Sequence, residues 1–327
     1  MYRRILVTLD GTKLAERVLA YVRLLAKPMG ARITLLKVVE HLPPHVGTEL
    51  NPVRNVHRTL PYRIEKARRY LSALAIGLEA DGLDVECLVL DGNPGPEIIK
   101  QAKLVPGTMV AMSTHGRYGL PRAWFGSVTD QVLRKTEIPM LIIGPDVDWD
   151  ATTGPKLERV IVALDGSGFA EKVLPHAVTV AKALGLTIVL ARVTPAEGLY
   201  YYQDGERDSV EEVIPRDLDA SAEQYLSEIE RGLRRQQVHS VEKRVLHDQE
   251  PAAALAGYAA DGGSSLIALT THARSGLARG LIGSVADSLV QEYPHPLLVL
   301  HVAHHSAVDN PKEGLEEGLN AESESVG

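Results

Sequence analysis

Two stretches of this chain set small residues and polar tips where an anion could be gripped. Residues 111–128 read AMSTHGRYGLPRAWFGSV. An apolar run ends at Ser113, His115 and Gly116 follow, and Gly126-Ser127 lead into a helical pattern from Val128. Small residues let backbone N–H groups approach an anion, and a helix start adds unpaired N–H groups and the positive dipole end. Residues 269–285, LTTHARSGLARGLIGSV, repeat the arrangement with Thr270, His272, Gly283, Ser284 and Val285. The chemistry is that of a phosphate cradle, written twice. His115 and His272 suit a role in positioning ribose or phosphate, or simply cap a turn. Arg117, Arg122, Arg274 and Arg279 either neutralise phosphate charge or are solvated residues of a polar loop.

A second pair of candidates stands earlier in each repeat. Asp10 and Asp165 each end an apolar run and precede a glycine, in LDGTK and LDGSG. A carboxylate there accepts a hydrogen bond from an adenine amino group or a ribose hydroxyl. The plainer alternative is that each caps the helix that follows.

The repeat organises the whole chain. Residues 4–12 match 159–167 and residues 33–39 match 188–194 at an offset of 155, while His115 pairs with His272 and residues 139–143 with 296–300 at 157. So small a drift means a duplicated domain rather than a short solenoid repeat. The expected units are residues 1–146 and 157–303, joined by a polar linker over 147–156 that contains Gly154-Pro155, with an acidic disordered tail over 304–327.

Within each unit strands and helices alternate. The first reads as strands near 4–9, 32–39, 85–89, 108–112 and 139–143. Its helices are expected after the first strand (Leu14 to Ala26, closed by Pro28 and Gly30) and over 62–80, 95–103 and 127–136. Five strands joined by crossover helices make a doubly wound, mostly parallel α/β sheet, a Rossmann-like domain. Ligands in such sheets bind where the strand order reverses. The special residues follow strands one and four, so those two are expected to be neighbours, which gives the order 3-2-1-4-5. Cys87 alternates with Val85 and Val89 and is expected in the core. The loops over 41–60 and 195–215 are long enough to be lids. His41, His45 and His57 in the first, and Tyr200, Tyr201 and Tyr202 in the second, read as loop residues rather than a metal or stacking site.

Composition narrows the classes. Hydrophobic residues at 45% and charged residues at 24% suit a globular chain, and no apolar run is long enough for a membrane span. Net charge is −7, concentrated in the tail, and no basic surface for nucleic acid is evident. One cysteine excludes an internal disulfide, and no secretory leader is read at the N-terminus, so the cytoplasm is the expected compartment. There is no GxxxxGK[ST] and no GxGxxG after strand one, which removes an ordinary P-loop and the common dinucleotide fingerprint.

The pattern G-x2-G-x9-G-[ST] after strand four, with an Asp ending strand one, resembles the universal stress protein family over both halves. Ser113 stands at the first glycine of the pattern, and Gly92-Asn93-Pro94 is similar to the family's G-x-P. In the second half Thr270 and Ala273 replace both loop glycines, although nine residues still lead to Gly283-Ser284. The resemblance implies ATP, with Mg²⁺, held at Thr8, Asp10, Val38, Ser113, His115, Gly116, Arg117, Gly126, Ser127 and Val128. In the second half it implies Asp165, Val193, Thr270, His272, Gly283, Ser284 and Val285, with weaker binding expected there. It also implies a pseudo-dimer of the two halves through their fifth strands, and a homodimer as a further expectation. The implied role is a nucleotide-dependent stress regulator or survival factor that meets an unidentified protein partner, with little or no turnover. A slow ATP hydrolase or adenylating enzyme, and a nucleotide-free adaptor, are the alternatives.

Overall fold

The computed structural model describes residues 2–40, 59–114, 126–147, 153–196, 215–271 and 283–302. In the first half β1 (Arg4–Thr8), β2 (Arg32–Val39), β3 (Val85–Asp91), β4 (Thr108–Ser113) and β5 (Met140–Ile143) form the sheet. Around them lie α1 (Lys13–Glu16), α2 (Val18–Met29), α3 (Leu60–Ala80), α4 (Pro94–Leu104) and α5 (Ser127–Lys135). The second half has β6 (Arg159–Ala163), a 3₁₀ turn (Ala170–Val173), α6 (Leu174–Leu184), β7 (Thr187–Thr194) and α7 (Pro215–Arg235). It continues with β8 (Val241–His247), α8 (Pro251–Asp261), β9 (Ser265–Thr271), α9 (Ser284–Glu292) and β10 (Leu297–His301).

The ten strands make one sheet in the order β3-β2-β1-β4-β5-β10-β9-β6-β7-β8. Each half therefore shows 3-2-1-4-5, with β1 parallel to both β2 and β4. The central strands are mostly apolar because both faces are covered. Every residue of β1 and β4 is buried, and separate core clusters fill the two faces of the sheet.

The halves meet through β5 and β10, the antiparallel pair of the sheet. Leu141 lies opposite Leu298, its own counterpart in the repeat, with Met140 opposite Val299 and Ile142 opposite Leu297. That register is a local two-fold axis through the leucine pair, so the two halves form an intramolecular pseudo-dimer. Tyr2 adds a contact across it: its hydroxyl is 2.8 Å from Nδ1 of His176 and the rings stack at 5.9 Å. Burial holds the His176 pKa below the ordinary histidine value.

Three expectations need correction. The helix after β1 is two pieces. The N–H of Arg17 bonds to Leu14 O and that of Ala20 to Arg17 O, so tight i→i+3 bonds break the α pattern at Arg17. Pro28 does not close α2 but is its penultimate residue; Gly30 closes it. Cys87 is exposed, not core. It lies on the outermost strand, where Val85 and Val89 pack against the core and Cys87 does not. Burial and the nearby Glu79 and Glu86 charges push its thiol pKa up, away from reactive thiolate.

Candidate functional site

The strand order puts the ends of β1 and β4 side by side at the point where the chain's winding reverses. Asp10 follows β1 there, and Ser113 and Thr114 close β4. The chain leaves α5 for β5, which is parallel to β4, so the start of α5 lies at this same end of the sheet.

Asp10 does not cap α1; Thr12 does. The Thr12 hydroxyl accepts from the Ala15 N–H at 3.1 Å, while the Asp10 carboxylate accepts from the Thr12 N–H at 2.8 Å and the Thr12 hydroxyl at 2.7 Å. The side chain of Asp10 is exposed and its direction is set by Thr12. The second half repeats this atom for atom. Asp165 accepts from the Ser167 N–H at 2.8 Å and hydroxyl at 2.6 Å, and Ser167 accepts from Ala170 at 3.2 Å. Gly11 and Gly166 share φ = 92°, a left-handed turn that suits glycine.

At α5 the first helical bond runs from the Asp130 N–H to Gly126 O at 3.0 Å. The N–H groups of Ser127, Val128 and Thr129 therefore have no acceptor within the helix, and Gly126 at the N-cap has no side chain to offer one. The helix begins at Ser127, the start expected of a helix over 127–136. In the second half the bond from Asp287 to Gly283 O is the same length. Gly283, however, takes φ = 121° where Gly126 takes −46°.

Thr8 and Ser113 are buried, and the Ser113 hydroxyl lies 3.4 Å from Ala15 O. Val38, Val128, Val193 and Val285 are half-buried against the core on one face of the sheet. Thr270 is half-buried near the end of β9. His115, Gly116, Arg117, Arg122, His272, Ala273, Arg274 and Arg279 lie outside the described residues, as do the loop histidines and tyrosines singled out above.

One residue that sequence reasoning passed over is Thr114. It is 2% exposed, its N–H bonds to Ile143 O, and its hydroxyl has no partner among the described residues. A buried hydroxyl without a bond is costly and calls for an explanation. Its counterpart Thr271 is satisfied, with its hydroxyl 3.3 Å from Nδ1 of His301. Gly144 stands in the first half where His301 stands in the second. A Cβ at Gly144 would come within 3.4 Å of Val290 O on α9. The only signal in the sequence was the Gly-for-His difference at the end of the fifth strand.

Fold and topology together define a tandem α/β protein with a duplicated switch point. The universal stress protein family model matches residues 1–144 and 156–301, and the chain belongs to that family. A universal stress protein of Methanocaldococcus jannaschii is 26% identical over 44% of this chain and 95% of its own length. One from Mycobacterium tuberculosis is 26% identical over 70% of this chain and 74% of its own. The crystal structure of a universal stress protein from Archaeoglobus fulgidus superposes with TM-score 0.62 at 20% identity, covering 91% of this chain and 98% of that one. A putative universal stress protein from Pseudomonas aeruginosa gives 0.58 at 16%, covering 92% and 93%. Among the described residues no helix is long and apolar enough to cross a membrane.

Proposed function

We propose that this protein binds ATP, more tightly in its first half, and works as a nucleotide-dependent stress regulator or survival factor in the cytoplasm with little or no turnover. The observation that carries the reading is Thr114. Its buried hydroxyl lacks a partner among the described residues, at the end of the sheet where α5 starts and Asp10 also stands. A phosphate or ribose oxygen would satisfy that hydroxyl, and the Ser127–Thr129 N–H groups would hold phosphate charge. Asp10 would read the adenine amino group. Its carboxylate is already engaged by Thr12, which suits holding a base rather than taking a proton. Among the described residues no three His, Cys, Asp or Glu side chains converge to hold a metal. Mg²⁺ would accompany the triphosphate. A homodimer and a protein partner belong to the same proposal.

Mass spectrometry of small molecules released from denatured protein, followed by titration with ATP, ADP, AMP and adenosine, tests it. The expected affinity order is ATP, ADP, AMP, adenosine. Adenosine binding as well as ATP would make the site a base pocket and sink the phosphate cradle.

A further inference from the structure

Strand β2 is apolar except for Thr34, Lys37 and its leading Arg32. By alternation Lys37 shares a face with Ile33 and Leu35, both core residues. Its long side chain reaches instead to the end of β1, where Nζ donates to the backbone oxygen of Asp10. The ammonium lies 5.6 Å from the centre of the Tyr70 ring on α3, within cation–π range. A Cβ on Gly11 would be 3.1 Å from Nζ, so the left-handed glycine lets the cation approach. Tyr70 in turn faces Glu16 on α1; burial and that carboxylate push the phenol pKa up.

The second half builds the same object from different groups. Arg192 replaces Lys37, and its Cζ, Nη1 and Nη2 are all 3.2 Å from the position a Cβ would take on Gly166. The guanidinium therefore lies flat against that glycine. Beyond it, 5.4 Å away, is the ring of Tyr225 on α7, whose hydroxyl donates to Glu171 at 3.2 Å. Asp, Glu, cation and Tyr recur at one constant offset of 155 residues. They do so although Gly116 of the first loop is replaced by Ala273 in the second.

We infer that Lys37 and Arg192 are positioning residues that lock the two strand-end Asp-Gly turns, so that Lys37 fixes the direction in which Asp10 presents its carboxylate. Thr12 holds the side chain of Asp10 and Lys37 holds its main chain. One residue gripped at both ends keeps a single orientation, which is the supporting arrangement a recognition site needs. The part concerning base recognition rests on the ATP reading above; the part concerning the turn does not. Because Lys and Arg reach the same glycine by different shapes, the requirement is a long cation rather than one particular group.

The test uses the full chain and two readouts. Hydrogen exchange of residues 9–13, measured without nucleotide, should quicken about tenfold in Lys37→Met, the scale of one lost charge-assisted bond. Exchange in β4 and β5 should not change, and Lys37→Gln guards against a folding defect peculiar to Met. The preference for ATP over GTP should fall by a similar factor, and Lys37→Arg should restore both. Arg192→Met should quicken exchange at residues 165–168 and leave the first turn alone. Unchanged exchange in both Lys37 variants overturns the inference, as does faster exchange with undiminished ATP preference. If the unmodified protein binds no nucleotide, the ATP reading fails while the exchange data still decide whether Lys37 holds the turn.

Discussion

In the first half a buried threonine, Thr114, closes β4 with an unpaired hydroxyl, and glycine follows β5. In the second half the matching threonine, Thr271, closes β9 with its hydroxyl engaged by His301, the last residue of β10. The strand order and the hydrogen bonds of the Asp turns are the same in both. One site keeps an unmet bond for something else to make; the other has met it from within. The lesson is that a duplicated fold can retain its scaffold while a single side chain decides whether a polar atom is offered or consumed.

The sharpest way to break this comparison is to remove each aspartate in turn. Asp10→Ala should weaken ATP about ten- to a hundredfold, the value of a hydrogen bond to a charged acceptor, whereas Asp165→Ala should leave the measured affinity nearly unchanged. Calorimetric titration reads both. A larger loss in Asp165→Ala would reverse the assignment of the halves.

A smaller effect is expected from converting one half into the other. His301→Gly frees Thr271 and should raise second-half binding about tenfold, visible as stoichiometry moving from one towards two nucleotides per chain. No gain would mean that the substitutions in the second loop, not His301, decide occupancy.

Stability supplies a third and subtler comparison. Thr114→Val discards an orphaned hydroxyl and should stabilise the nucleotide-free protein or leave it unchanged. Thr271→Val breaks a buried bond and should cost about 1 kcal/mol. Denaturant midpoints at constant m-value report the difference. Equal losses would show that the Thr114 hydroxyl is satisfied in solution.

The smallest expected effect concerns pH at the junction. His176 is held below its ordinary pKa by burial. The unfolded chain therefore takes up the proton more readily once pH drops below about 6.5. Stability present above that value is lost as the medium is acidified. Unfolding curves between pH 7.5 and 5.5 should show a decline that His176→Phe reduces, even though that variant also loses the Tyr2 bond. An equal decline in both proteins would remove His176 from the explanation.

Much of the architecture was legible because it is written as pattern. Continuous apolar runs marked β1 and β4 as central strands, and the positions of Asp10 and Ser113 sufficed to order the sheet. Pattern fails where burial depends on what lies alongside. Cys87 has the alternation of a core residue but occupies an edge strand, and Pro28 has the look of a terminator but sits in a last helical turn that tolerates it. The site was legible as small residues after a strand, yet its supports were not. Lys37, Tyr70 and Glu16 are remote in sequence, and a lysine in an apolar strand reads as an exception until its repeat partner Arg192 is set beside it. Thr114 was invisible for another reason. An unmet hydrogen bond is a relation between residues, and only the fold shows that Gly144 leaves it unmet.

The register of β5 against β10, in which Leu141 faces its own repeat, carries a genetic consequence. In an assembly of two identical chains, every substitution near such an axis is made twice and both sites change together. Here the partners share one polypeptide, so a substitution is made once. The intervening segment also keeps them at high effective concentration, and the junction need not be strong enough to recruit a separate subunit. One half can then drift while the other stays under constraint. A histidine arriving at position 301 alters one pocket and leaves its twin as it was.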